Sequence, residues 1–253
     1  MKLAITGYGR MGHEIERAAI ARGHEVVCRI DPHVPDADVA NVAAAQRTGM
    51  LSPEVCAIDF ALPDAVAENI AAYADAGCSA VIGTTGWDEE RDRVLAPAAA
   101  AGIALVWGSN FSVGANMMVR IAGVAARLSA AAEGYDIGVM ELHHRGKKDS
   151  PSGTAIMLAN EIGAAASDKT VIQTETLHRQ ISSEELHVAS GRIGSIPGTH
   201  TVYFDSEADT VELTHRARSR GGFAVGAVKA AEWISTRTGI HPVQDFFDDL
   251  FRI

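Results

Sequence analysis

The chain is short of several things, and each shortage narrows what it can be. Only three cysteines, Cys28, Cys56 and Cys78, occur in 253 residues. They are too few and too scattered for a disulfide framework or a cysteine-based zinc site, and read as small buried residues in a reducing compartment. Cations are outnumbered, with 22 Lys and Arg against 32 Asp and Glu. The net charge of -10 argues against a nucleic-acid or general polyanion binder, which needs a basic surface to displace counterions. No uncharged apolar run reaches the roughly 18 residues of a membrane-spanning helix. The opening MKLAITGYG enters a strand and a glycine turn with no room for a signal peptide. These shortages lead to the expectation of a cytoplasmic protein with neither a nucleic acid nor a membrane as partner. Any anionic ligand must be met by a local cluster of cations.

What is present is an ordinary globular composition, 47% hydrophobic and 21% charged. The first hundred residues alternate strand-like runs (KLAIT, EVVCRID, CAIDFAL, SAVIGTT, IALVWGS) with helical ones. That alternation implies βαβ units and a mainly parallel sheet. After Phe111 the texture changes to a long helix (about 115–132), the strand YDIGVMELHH, a helix (about 154–164), and then four strand-like segments with polar breaks. Consecutive strands suggest a mixed or antiparallel sheet. The tail from Phe223 returns to helix. The expected plan is α/β: a Rossmann-type parallel-sheet domain over 1–111 and 222–253, with an inserted α+β substrate and oligomerisation domain over 112–221.

GYGRMG, from Gly7 through Tyr8, Gly9, Arg10 and Met11 to Gly12, fits G-x-G-x-x-G directly between a strand and a helix expected from about His13. Glycines there permit a tight turn and a close backbone approach to pyrophosphate, and the helix N-terminus offers amides and a positive dipole end. The pattern alone is weak. Its context strengthens it, because the second strand ends at Asp31, nineteen residues past Gly12. That is near the ~20-residue offset at which an acid accepts from the adenine-ribose hydroxyls. A ribose carboxylate repels a 2′-phosphate, so the reading leans toward NADH over NADPH, although Arg29 lies two residues before it. GTTG (83–86) closes a later strand; it reads either as a nicotinamide-side loop or as a simple turn before a helix.

ELHHRGKKDSPSGTA (141–155) concentrates the cations. Three chemistries compete for it. A metal site is disfavoured because adjacent histidines on a strand point to opposite faces and the neighbouring cations repel a divalent ion; no metal is expected. A nucleophilic serine would need an elbow such as G-x-S-x-G, which is lacking. An anion pocket with proton-transfer groups uses Arg145, Lys147 and Lys148 as charge and the Ser152-Gly153-Thr154 turn as amide donors at a helix start. A nearby lysine disfavours the charged imidazole and keeps it ready to exchange a proton near pH 7. A solvated basic loop with Ser152 or Thr154 capping the helix is the plainer account, about equally weighted until the dinucleotide signature is set beside it.

The same stretch resembles the hallmark E-x-H-H-x-x-K-x-D-x-P-S-G-T-A of the 4-hydroxy-tetrahydrodipicolinate reductase (dihydrodipicolinate reductase) family, with every fixed position present. GRMG, GTTG, SNFSVG (109–114), GRIGSIPGTHTV (191–202) and HRARSRGGFAVGA (215–227) extend the resemblance along the chain. It implies hydride transfer from NAD(P)H to a cyclic dicarboxylate with loss of its 4-hydroxyl as water, in lysine and diaminopimelate biosynthesis. It implies His143 as acid/base, Lys147 as proton donor, and His144, Gly153 and Thr154 as substrate-binding residues. It places the glycine turn, Asp31, Gly83, Thr84, Thr85, Gly108, Ser109, Asn110 and Phe111 along the cofactor. It also implies a homotetramer joined through the second domain's sheet. Two features depart from the family: the glycine turn is one residue shorter than G-x-x-G-R-M-G, and no basic residue directly follows Asp31. Arg216, Arg218 and Arg220 read as a solvated run. The rival functions are a reductase of another small carboxylate and a non-catalytic nicotinamide-binding sensor; the latter would have no use for His143 and Lys147.

Overall fold

The computed structural model describes residues 1–252, with Asp88 by its backbone alone. The chain divides into two compact units, Met1–Val113 with Arg220–Ile253, and Gly114–Ser219.

The first unit carries a six-stranded parallel sheet built from β1 (Lys2–Thr6), β2 (Glu25–Ile30), β3 (Val55–Asp59), β4 (Ser79–Ile82), β5 (Leu105–Trp107) and β11 (Ile240–Pro242). The spatial order is β11-β5-β4-β3-β1-β2, and every pairing is parallel. Alternation along the strands sends Ala4, Ala57 and Ala80 to a face covered by α2 (Val42–Arg47), α3 (Val66–Asp75) and α4 (Arg91–Ala101). Leu3, Ile5, Ile58 and Val81 face α1 (Arg10–Ala21), α7 (Gly221–Ile234) and α8 (Val243–Phe251). Apolar residues on both faces explain why these strands read as continuous hydrophobic runs. Each fully buried Ile, Leu or Phe stabilises the unit by roughly 1.5–3 kcal/mol. Helix α7 lies so close to the β5–α5 loop that a Cβ on Gly226 would fall 1.7 Å from the Phe111 carbonyl oxygen. Strand order reverses between β1 and β3, and ligands of open α/β sheets bind at such a switch point, beyond the strand C-termini.

The second unit contains α5 (Val113–Ala132), β6 (Asp136–His143), α6 (Gly153–Ala165), β7 (Val171–Gln173), β8 (Glu185–Arg192), β9 (Thr199–Asp205) and β10 (Thr210–Arg216). Its five-stranded sheet has the order β10-β9-β6-β8-β7 and is mixed. Strand β6 pairs parallel with β8 and antiparallel with β9. The core joins Ile137, Val139, Leu186, Val188, Val202 and Phe204 of the sheet to Met118 and Ala122 of α5 and Leu158 and Ile162 of α6. Ile137, Val139, Glu141 and His143 are the buried positions of β6, so the helix-covered face turns from apolar to ionisable toward the strand's end.

Several element boundaries differ from expectation. Helix α1 starts at Arg10, three residues before His13, because Gly9 is its N-cap and Gly12 already lies within the helix. The strand expected over 56–62 stops at Asp59, whose side chain turns the chain by accepting from the Ala61 amide. Helix α2 and strand β11 were not anticipated. Six Ala-rich residues and the tripeptide IHP are too short to show a period.

Candidate active site

At the switch point the three glycines of GYGRMG answer to three constraints. Gly7 has φ +81°, and a Cβ there would meet the Phe60 carbonyl oxygen at 2.5 Å. A Cβ on Gly12 would lie 2.7 Å from the Gly7 carbonyl oxygen, so only glycine lets α1 sit this close to β1. Gly9 has nothing within 4 Å of a Cβ, and as N-cap of α1 it makes no side-chain cap. The turn therefore leaves room beside a helix N-terminus, which fits a dinucleotide pyrophosphate. Arg10 is exposed at this end. Tyr8 and Met11 offer the turn their backbone only. Tyr8 is 4% exposed, its hydroxyl donates to Glu16 and its ring stacks on His13 at 4.4 Å, while Met11 packs on the core.

Strand β2 stops at Ile30, one residue short of the expected end, and Asp31 follows it at the rim of a cavity of about 180 Å³ lined also by Thr6, Gly7, Asn41, Leu62 and Asn69. Its Oδ1 accepts from the amides of His33 (2.8 Å) and Val34 (3.1 Å), which fixes the carboxylate in place. Arg29 is committed elsewhere. Its Nε donates to Glu16 at 3.0 Å, its Nη2 to the same carboxylate, and its Nη1 to Asp38 at 3.4 Å.

Thr84, Thr85, Gly108 and Ser109 share a second cavity of the same unit, about 270 Å³, with Trp107 and Arg91. The Arg91 guanidinium lies 4.2 Å from the Trp107 ring centre. Gly83 lies beneath this loop, where a Cβ would fall 2.2 Å from the Phe60 ring. Asn110 accepts from the Ser112 amide at 2.9 Å, and Phe111 is 1% exposed against Phe60. These last two side chains shape the loop rather than line the cavity.

Sequence reasoning overlooked the acid beneath both loops. Asp59 is fully buried and accepts from the Ala61 amide, Asn69 and Tyr73, each at 2.9 Å, with Thr84 at 3.4 Å. Burial raises its pKa against the pull of those donors. Thr6 donates to Tyr73 at 2.7 Å, so one carboxyl ties together the ends of β1, β3 and β4. The signal was available: an aspartate closing an otherwise apolar buried strand.

In the second unit, Glu141 and His143 are two residues apart on β6 and share its buried face. The ladders bring His200 of β9 opposite Glu141 and Arg192 of β8 beside His143. Glu141 is fully buried. Its Oε1 accepts from Arg192 Nη1 at 2.9 Å and the Ser152 amide at 3.2 Å, while Oε2 is bonded to His143 Nδ1. Ser152, the N-cap of α6, accepts from the Ala155 amide at 3.3 Å and bonds His200 Nε2 at 3.1 Å. Gly153 and Thr154 form the first turn of α6, and Gly153 is exposed with open space around it. Lys147 pairs with Asp149 at 2.8 Å, and its amide donates to the His144 carbonyl at 3.1 Å. His144 is half-buried just past the strand, whereas Arg145 and Lys148 are exposed.

The charges follow from this packing. Burial works against ionising Glu141, but hydrogen bonds from Arg192, Ser190 and His143 outweigh it and hold the carboxyl below its usual range. Burial lowers the pKa of His143; Glu141 opposes the shift, and Lys147 and Arg192 add to it. His200 is pushed down to about 4, chiefly by burial. Glu141, His143 and His200 bring potential ligand atoms within 4.8 Å of one another. Arg192 and the Ser152 amide already occupy the carboxylate, and Lys147 adds positive charge, so the arrangement suits a proton better than a divalent cation. Glu141, Arg192 and His200 received no role from the sequence. The last two lie in GRIGSIPGTHTV, far from Glu141 along the chain, and only strand register reveals that they converge on it.

Residues 1–111 match the family described as dihydrodipicolinate reductase, N-terminus, and residues 114–247 match dihydrodipicolinate reductase, C-terminus. The 4-hydroxy-tetrahydrodipicolinate reductase of Christiangramia forsetii is 35% identical over 252 residues, covering the whole of both chains. That of Archaeoglobus fulgidus is 35% identical over 262 aligned positions, covering 98% of this chain and all of its own. A solved structure of dipicolinate-bound dihydrodipicolinate reductase from Paenisporosarcina sp. TG-14 superposes with a TM-score of 0.77 at 23% identity, covering 97% of this chain and 98% of that one. A probable dehydrogenase from Thermotoga maritima shares the fold at a TM-score of 0.61 and 10% identity, covering 99% of this chain and 93% of that one. With both family regions matched in order and relatives aligned end to end, the chain belongs to the dihydrodipicolinate reductase family.

Proposed function

We propose that the chain reduces 4-hydroxy-tetrahydrodipicolinate to tetrahydrodipicolinate with loss of water, as an NAD(P)H-dependent oxidoreductase of lysine and diaminopimelate biosynthesis. The observation that carries this reading is the buried Glu141–His143 pair with Lys147 on the adjoining loop, at the N-terminus of α6. A bound reduced nicotinamide supplies the hydride. The departing hydroxyl takes up one proton to leave as water, so each hydride transferred consumes one proton. His143, kept neutral by burial near pH 7, exchanges protons as acid/base, and Lys147 delivers the proton. Gly153 and Thr154 direct the amides of the first turn of α6 at a substrate carboxylate, and His144 holds the substrate beside them. Dipicolinate, bound by the Paenisporosarcina enzyme, is a cyclic dicarboxylate of the kind such a turn accepts.

In the first unit, the glycine turn holds the pyrophosphate, Asp31 the adenine ribose, and Thr84, Thr85 and Ser109 the nicotinamide side. NADH is the favoured cofactor over NADPH, because Asp31 is fixed at the cavity rim and Arg29 is spent on Glu16 and Asp38. Four chains assemble through the open face of the second unit's sheet. The three buried thiols fit a cytoplasmic site of action.

Substrate generated enzymatically, mixed with enzyme and NADH or NADPH, should consume the reduced cofactor; no turnover with either would remove the proposed activity. His143→Ala and Lys147→Ala should each lower kcat about 10²-fold or more, as loss of a general acid–base group does. Near-normal kcat in both would leave the loop a purely electrostatic role. Asp31→Ala should raise the KM for NADH roughly 10-fold or more, since hydrogen bonds to a charged group are lost, and should change the KM for NADPH less. Equal changes would mean that Asp31 does not hold the ribose.

A further inference from the structure

His143 has two ring nitrogens, and the structure distinguishes them. Nδ1 is bonded to Glu141 Oε2. Glu141 stays ionised because Arg192 and the Ser152 amide both donate to its other oxygen, so the proton in the Glu141–His143 bond resides on Nδ1. Nε2 is then the nitrogen whose lone pair is free to take a proton. The residue against Nε2 is Gly198, where a Cβ would lie 2.9 Å from Nε2 and 3.3 Å from Cδ2. Gly198 also has φ +152°, a conformation that side chains rarely adopt. Backbone and space therefore both call for glycine at this position beside Nε2.

We propose that Glu141 is a positioning residue that locks His143 in its Nδ1–H tautomer, and that Gly198 keeps Nε2 open as the atom that exchanges the proton. The inference rests on the reading of His143 as acid/base. It adds which atom works, what fixes it and what keeps it accessible. The charged and titratable groups around His143 are Glu141 on its own strand, Arg192 from β8, His200 from β9 with His215 of β10 behind it, and Lys147 and Asp149 from the loop. Among these, Glu141 is the group bonded to the ring.

Glu141→Gln tests the tautomer. Arg192 and the Ser152 amide both donate to the Oε1 position, so they retain the glutamine oxygen there and turn its NH2 toward Nδ1. The amide then donates to Nδ1 and forces the proton onto Nε2. The expected result is a kcat lowered on the order of 10²-fold or more, an unchanged Kd for NADH, and the His143 limb of the pH–rate profile moved to lower pH as the neighbouring negative charge is lost. Glu141→Asp, which keeps the charge, should restore the limb toward its wild-type position. Gly198→Ala should lower kcat about 10-fold or more, with NADH binding intact. Unchanged kcat and an unmoved limb in Glu141→Gln, with His143→Ala inactive, would overturn the inference and leave the acid/base reading standing. An active His143→Ala would instead overturn that reading. Should the Glu141 variants fail to fold, 15N NMR of histidine-labelled wild-type protein decides: a neutral His143 protonated on Nδ1 supports the proposal, and one protonated on Nε2 defeats it.

Discussion

His200 occupies the centre of the second unit's polar cluster at 4% exposure, with rings of His143 and His215 on either side at 5.1 and 6.4 Å. Its Nδ1 has no hydrogen-bond partner among the described residues, and burial holds its pKa down at about 4 against an ordinary 6.5. The folded chain keeps this imidazole neutral, whereas the unfolded chain takes up a proton below about pH 6.5. Stability from this group is therefore complete above about pH 6.5 and is lost as pH falls toward 4, by about 3 kcal/mol. His143 and His215 shift in the same direction and add to the loss. Urea midpoints should fall between pH 7.5 and pH 5, and His200→Gln should flatten that slope; parallel curves for variant and wild type would rule His200 out as a source. A neutral His200 also puts no positive charge beside His143.

Legibility varies among the elements according to whether their signals are local. Strand β1, the glycine turn and α1 could be read directly, since strand, turn and helix follow one another within about twenty residues. Helix α6 and its cap were legible for the same reason: Ser152 stands just before the helical run TAIMLANEIGA and its side chain accepts from the Ala155 amide. Strand β7 covers only Val171–Gln173: the first of the four strand-like segments after α6 runs over residues 170–178 and has strand composition, but three of its residues find a partner on β8. The site was half legible. His143 and Lys147 were singled out in one strand-and-loop segment, whereas Glu141 of that segment was given no role, and Arg192 and His200 arrive from strands some fifty residues later through the pairings His143–Arg192 and Glu141–His200. Composition carries no record of register. Asp59 was hidden for a related reason, since its partners Asn69, Tyr73 and Thr84 come from α3 and the loop after β4.

Across the whole molecule, the net charge of -10 coexists with a second unit that places cations one by one on separate acids, Arg192 on Glu141, Lys147 on Asp149, Lys169 on Asp136 and Arg179 on Glu185. That unit covers one face of its sheet with α5 and α6, while Met140, 44% exposed, lies on the other face of β6, opposite Thr201 and beside Ala189. An open face of this character supports the proposed tetramer. Sedimentation should give a mass near four times 26.7 kDa, and Met140→Lys, which puts a charge into the face, should shift the distribution to smaller species. A single-chain mass for the wild type would exclude that assembly. The chain leaves the first unit after Val113 and re-enters it at Arg220, where α7 packs on β3, β4 and β5 and β11 extends the sheet beyond β5. During synthesis on a ribosome, every strand of the inserted unit emerges before the helix that packs on β3, β4 and β5. With α1 alone on that side of the sheet, the nascent chain holds the apolar face of β3, β4 and β5 uncovered while the inserted unit is made, so the first unit, although begun earliest, is the last to close.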